Sequence, residues 1–213
     1  MKGLFISIEG ADGSGKSTQI EQLKNYLQNH NYEFVFTREP GGTIISESIR
    51  DIILNKDYME MSDMTEALLY AASRAQHVEQ YIKPLLEEGK IVICDRFVDS
   101  SVVYQGYARG LGINNVEQIN RYATSGLEPD ITILLDIDAE EGLKRKKDQR
   151  ELDRLELQKF EFHKKVCEGY KKLAELHPNR IKNIDASQSI ENIHSEIINT
   201  IEQMINNRYN YNK

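Results

Sequence analysis

The chain has 213 residues, 39% of them hydrophobic and 29% charged, with 34 acidic against 27 basic residues and a formal net charge of −7. That size and balance fit one soluble globular domain, residues 1–213, with a sizeable core, and argue against non-specific nucleic-acid binding, which needs a basic surface. No run of about 18 apolar residues is present, so no membrane-spanning helix and no membrane partner is expected, and MKGLFISIEG meets Glu9 too soon to be a signal peptide.

The first predicted strand is LFISI (4–8), followed by GADGSGKS (10–17) and a helical pattern over 16–29. The middle stretch matches G-x-x-x-x-G-K-[ST] in the strand-to-helix setting that motif requires. Gly10, Gly13 and Gly15 let the backbone curl so that amide N–H groups point inward. The helix start adds its positive dipole end. Lys16 can reach the β- and γ-phosphates of a nucleotide, and the Ser17 hydroxyl can ligate Mg²⁺. The motif predicts nucleotide binding but does not choose between a kinase, a GTPase switch and an ATP-driven machine.

A second strand, EFVFT (33–37), runs into TREPGGT (37–43), where Pro40 and two glycines make a rigid turn. Arg38 lies at the strand end and Arg50 in the following helix, 44–54. Each offers a planar fork suited to phosphate, although a surface salt bridge is the ordinary role of a lone arginine. A long helix is expected over 63–88, ended by Pro84 and Gly89.

The third strand, IVIC (91–94), is followed by DRFVDSSVVYQGYARG (95–110). Asp95 directly ends an apolar strand, as a water-mediated Mg²⁺ partner would. Arg96 beside it can bridge phosphates. Ser101, Tyr104 and Gln105 bring a hydroxyl, a ring and an amide that can read a base and sugar or serve as ordinary loop residues. Next come a helix over 115–126, a strand ITILLDI (131–137) and a helix over 139–147. Helix 157–176, strand IKNI (181–184) and helix 189–206 complete the pattern, and NNRYNYNK at the end is expected to fray. Strand–helix alternation predicts an α/β fold with a five-stranded parallel sheet flanked by helices on both faces. Ligands of such sheets sit beyond the carboxyl ends of the strands. Cys94 and Cys167 fit no metal spacing and read as reduced, buried thiols of a cytoplasmic protein. Five scattered histidines make no metal cluster.

Taken together, EGADGSGKST, TREPGGT, ALLYAASRAQH, CDRFVDSSVVYQGYARG and ELDRLE resemble the bacterial thymidylate kinases, in order along nearly the whole chain. The resemblance implies a P-loop kinase fold, a homodimer, and transfer of the γ-phosphoryl of Mg·ATP to dTMP. It assigns ATP to Gly10, Ala11, Asp12, Gly13, Ser14, Gly15, Lys16, Ser17 and Thr18, with Asp12 between the dTMP sugar and the phosphates. Arg38, Arg50 and Arg96 resemble the clamp on the dTMP phosphate. Arg74 matches an arginine at the base edge, and Tyr70, one helical turn earlier, stands where the family commonly stacks Phe on thymine. Ser101 and Gln105 match positions that bond the base, and Tyr104 one that packs near C2′ of the sugar.

The family's other members with a P-loop arginine use it for transition-state charge, and ADGSG holds none. In the bacterial type the cation comes from a lid, and KRKKDQRELDR (144–154) lies where that lid belongs, about 144–156. Arg150 and Arg154 are expected there as catalytic cations and Arg145 on the adenine, with Lys144, Lys146 and Lys147 left to solvent. Two alternatives stay open: another P-loop nucleoside or nucleotide kinase, and a GTPase-like switch. Against the switch, NKDY (55–58) follows a helix and lacks the guanine-motif spacing.

Overall fold

The computed structural model describes residues 3–146 and 153–210. Strand β1 (Leu4–Glu9) is buried along its whole length and leads into helix α1 (Lys16–Asn29). β2 (Phe34–Arg38) and α2 (Ile44–Leu54) follow, then α3 (Asp63–His77). α2 is started by Thr43, whose hydroxyl accepts from the Ser46 N–H, and α3 by Ser62 in the same way with Thr65.

The helix expected over 63–88 is not uniform. After α3 it widens into a π turn over Val78–Ile82 before α4 (Lys83–Glu87). Pro84 has no N–H to give the carbonyl four residues back, so the ladder must re-form around it.

β3 (Ile91–Asp95) and then α5 (Val98–Ser101) run into a second π turn over Val102–Ala108. Sequence periodicity gave no helix here, because the segment is buried on nearly every side and shows no amphipathic stripe. α6 (Ile113–Ala123), β4 (Ile131–Asp136), α7 (Ala139–Lys146), α8 (Phe160–Leu176), β5 (Ile181–Asp185) and α9 (Ile190–Asn210) complete the chain. Helix α9 carries the expected fraying end as far as Asn210.

The five strands form one parallel sheet in the order β2-β3-β1-β4-β5. Side chains of β1 alternate between its faces. Leu4, Ile6 and Ile8 enter one core with Ile133, Leu135, Val166 and Ile197, while Phe5 enters another with Val92, Val78, Ile82 and Phe97. The strand order changes direction at β1, with β3 on one side of it and β4 on the other, so the strand ends at Glu9, Asp95 and Asp136 open one crevice. No described helix is long and apolar enough to cross a membrane.

Candidate active site

A cleft of about 740 Å³ opens at these strand ends, lined by the loop after β1, the turn after β2, α3, the loop after β3 and the end of α7. Its floor is the glycine loop. The first N–H groups of α1 have no intrahelical partner and face the cleft as an anion cradle. The loop is pressed against α7: a Cβ on Gly13 would stand 2.0 Å from the Gly142 carbonyl oxygen, and one on Gly142 would stand 2.6 Å from that of Asp12. Only glycine at both positions allows this approach.

Lys16 donates to the carbonyls of Gly10 at 2.9 Å and Ala11 at 3.1 Å. Burial and the neighbouring Arg96 charge lower its pKa to about 8. Ser17 and Thr18 line the cleft beside it, and Ser14 turns a buried hydroxyl inward with no partner among the described residues.

Arg96 stands at the centre. Its backbone φ is 65°, a left-handed conformation that costs a non-glycine residue energy and is tolerated where the surroundings enforce it. They do so from several sides. Nη2 donates to Asp12 Oδ1 at 2.9 Å and Nη1 to the Gly10 carbonyl at 3.0 Å, and the guanidinium lies 5.3 Å over the Tyr104 ring. Burial works to raise the Asp12 carboxyl, but Arg96, Lys146 and Lys16 outweigh it and hold its pKa at about 2.

Beneath them Glu9 is fully buried. It accepts from the Phe97 N–H at 2.7 Å, Ser100 Oγ at 2.6 Å and Tyr170 Oη at 2.9 Å. Burial and then Asp99 raise its pKa to about 7.

The half of the cleft under α3 gathers Tyr70, Arg74, Ser101, Tyr104 and Gln105, with Arg50 and Pro40 at its mouth. Arg74 is 1% exposed. Its Nε donates to Glu39 at 2.6 Å, Nη1 to Ser101 at 3.1 Å and to Asn120, and Nη2 to the Phe97 carbonyl at 3.1 Å. His77 bonds the other Glu39 oxygen at 3.0 Å and Thr37 at 2.7 Å. Arg38 and Arg50 both donate to the Pro40 carbonyl, at 2.8 and 2.9 Å. Arg38 also pairs with Glu47 at 2.9 Å; it lies outside the cleft wall, whereas Arg50 is on it. Burial and then Arg38 lower the Arg50 pKa, with Glu47 and Asp153 opposing the shift. The Tyr104 hydroxyl and Gln105 Oε1 are buried with no partner among the described residues.

The charged segment divides. Lys144 is exposed and pairs with Glu140, as a solvated residue should. Lys146 does not go to solvent. Its ammonium sits 3.4 Å from Asp12 Oδ1, pairs with Glu156 and lines the cleft. It follows Gly142 by one helical turn, so the close Gly13–Gly142 contact sets it over the loop. Arg145 lines the cleft too, bonding the Ala186 carbonyl at 3.0 Å and Glu141 at 2.6 Å. Arg154, expected as a catalytic cation of the lid, is 2% exposed and donates to the Ile53 carbonyl at 2.8 Å and Glu66 at 2.6 Å. Arg150 and Lys147 lie outside the described residues.

The sequence reading missed Glu9, Glu39, Glu66, His77 and Tyr170, and left Lys146 to solvent. Glu39, Glu66, Lys146 and Tyr170 each bond or pair with a residue it did single out, while Glu9 and His77 hold neighbours of those residues, and none carries a motif of its own except as a neighbour within one. Glu39, His77 and Cys94 also place one donor atom each within 4.8 Å of the others. The Arg74 charge and the bonds already held by Glu39 and His77 fill that space with a hydrogen-bond network rather than a cation site.

The thymidylate kinase family model matches residues 8–197. A thymidylate kinase of Clostridium novyi (strain NT) is 54% identical over 198 residues, covering 92% of this chain and 97% of the relative. One of Bacillus licheniformis is 49% identical over 207 residues, covering 96% and 98%. The crystal structure of thymidylate kinase from Ehrlichia chaffeensis superposes with a TM-score of 0.74 at 34% identity, covering 95% of this chain and 99% of that one.

Proposed function

This chain belongs to the thymidylate kinase family and transfers phosphate from ATP to dTMP, giving dTDP, and we propose that the cleft residues divide that work as follows. Gly10 to Thr18 cradle the ATP phosphates, and Arg145 flanks the adenine near Ser189 and Ile193. Arg50 and Arg96 bind the dTMP phosphate, joined by Arg38 once it releases Glu47. Tyr70, Arg74, Ser101, Tyr104 and Gln105 hold the base and sugar. The observation that carries this reading is the Asp12–Arg96 contact at 2.9 Å. It ties the phosphate cradle to the acceptor half at the point where two polyanions must meet without repelling one another.

The acceptor phosphate needs no base, because its second pKa is about 6. Its oxygen attacks the γ-phosphorus in line, and the protein supplies position and charge. On this reading Lys16 leaves its two carbonyls for the phosphates, and Asp12 hands Arg96 to the transferring group. Lys146 joins Arg150 as a candidate lid cation, while Arg154 holds the lid base from within the core.

The residues also fit a magnesium ion. Asp95 Oδ1 is buried without a partner among the described residues, and the Ser17 hydroxyl faces the same cleft. Both are hard oxygen donors. An Mg²⁺ held there would neutralise charge on the ATP phosphates.

We further assign a homodimer. Ile44 and Ile45 on α2 and Leu68 on α3 are 87%, 54% and 51% exposed on two helices that pack together, an apolar surface a second copy would cover. A cytoplasmic location fits the two free, buried cysteines.

ADP release from ATP with a panel of acceptors tests the assignment. Turnover with dTMP should far exceed that with dCMP, dGMP or thymidine. Preference for thymidine would contradict it.

A further inference from the structure

The carboxylate of Glu66 on α3 is fully buried and accepts four hydrogen bonds. Oε1 takes Gln105 Nε2 at 3.0 Å and Arg109 Nε at 3.3 Å, and Oε2 takes Arg109 Nη2 at 3.1 Å and Arg154 Nη2 at 2.6 Å. Two arginines make it a paired, ionised group.

An ionised carboxylate has no proton to give. The end of the Gln105 amide that faces it must therefore be the NH₂ end. That choice fixes the other end. Gln105 Oε1 is turned away from Glu66, is buried on the cleft wall and has no partner among the described residues. Beside it Arg74 carries only donors. Ser101 accepts from Arg74 at 3.1 Å, which leaves its own proton to give outward. The wall thus offers one acceptor at Gln105 and donors at Arg74 and Ser101. A pyrimidine with an N3–H donor beside an O4 acceptor complements that edge. One with a bare N3 beside an amino group meets acceptor with acceptor and donor with donor.

We infer that Glu66 is a positioning residue for base choice: by holding the Gln105 amide one way round, it makes the pocket accept a keto pyrimidine and reject an amino pyrimidine. The inference rests on the placement of the base against Gln105 given above. Glu66 also ties that wall to Arg154, at the start of the turn that carries Glu156 and thence Lys146.

The test is a double-mutant cycle read as a ratio, kcat/KM for dTMP over kcat/KM for dCMP. Glu66→Gln can donate as well as accept, so the Gln105 amide is free to turn over. The ratio should fall at least about tenfold, since a buried polar edge discriminates by pairing. Gln105→Met should itself lower the ratio, and adding Glu66→Gln to it should change the ratio no further. A fall of equal size in both backgrounds, or an unchanged ratio in Glu66→Gln alone, would overturn the role of Glu66. An unchanged ratio in Gln105→Met would instead overturn the placement of the base, and the inference with it. Should Glu66→Gln fail to fold by circular dichroism, the wild-type protein carries the test. Gln105 side-chain amide protons, identified by their loss in Gln105→Met, should exchange slowly with solvent in the free enzyme; fast exchange would refute the bond to Glu66.

Discussion

Replacing Arg74 by lysine keeps the charge and removes the fork. The guanidinium serves four acceptors from one buried position: Glu39, Ser101, Asn120 and the Phe97 carbonyl. A lysine ammonium that stays on Glu39 can reach at most one of the others. Two buried acceptors are then left without partners, at about 1–3 kcal/mol each, so a loss of about 2–6 kcal/mol is expected. That is a large share of a domain's usual 5–15 kcal/mol or so. Arg74→Met should cost more, because it also leaves the Glu39 carboxylate with only His77. Urea unfolding followed by circular dichroism measures both variants. The midpoint should drop with the slope unchanged, in the order wild type, Lys, Met. Kinetics on the folded lysine variant should show a raised KM for dTMP with ATP binding intact. A loss under about 1 kcal/mol for Arg74→Lys, or an equal loss for the two variants, would refute the fork argument.

Lys16, with its pKa near 8 in the free protein, is largely neutral at pH 9. ATP phosphates favour its charged form, so ATP binding should take up a proton there and weaken as pH rises past about 8; calorimetry in buffers of different ionisation enthalpy reads the uptake, and proton release would contradict it. Arg154→Ala leaves Glu66 with one arginine fewer in the core, and breaking such a buried pair costs about 3–5 kcal/mol, so its main effect should be a lowered unfolding midpoint. Lys146→Ala should instead leave the midpoint nearly unchanged and lower kcat about 10-fold or more with the KM for dTMP unaltered. Ile45→Asp should convert a dimer to monomers in sedimentation velocity, and a monomeric wild type would end the assignment of that surface.

How far the sequence foretold these features depended on how each residue acts. The glycine loop was legible because its chemistry is local: a strand, a turn and a helix start within fourteen residues, Leu4 to Ser17. The parallel sheet followed from short apolar runs such as ITILLDI, rich in β-branched and aliphatic residues as strands covered on both faces are, alternating with helical patterns. The π turn carrying Tyr104 and Gln105 was not legible, since residues buried all round show no period. Glu66, Glu39 and Glu9 were missed for a related reason. A carboxylate in a charged chain looks like surface until the arginines or hydroxyls from distant segments are seen upon it.

Lys146 and Arg154 show the same limit from the other side. In a run of cations, sequence alone ranks arginine above lysine for phosphate work. The folded backbone sorts the run by position instead. The Gly13–Gly142 contact puts Lys146 over the loop, and the return of the chain past Ile53 draws Arg154 into the core.

The proposed mechanism is a single direct transfer between two nucleotides held in one cleft, with no phosphorylated protein group between them. The stereochemical course at the γ-phosphorus tests it most directly, using ATP made chiral at that atom by sulfur and oxygen isotopes. One in-line displacement inverts the configuration, and inversion is the predicted result; retention would require two displacements and contradict the account.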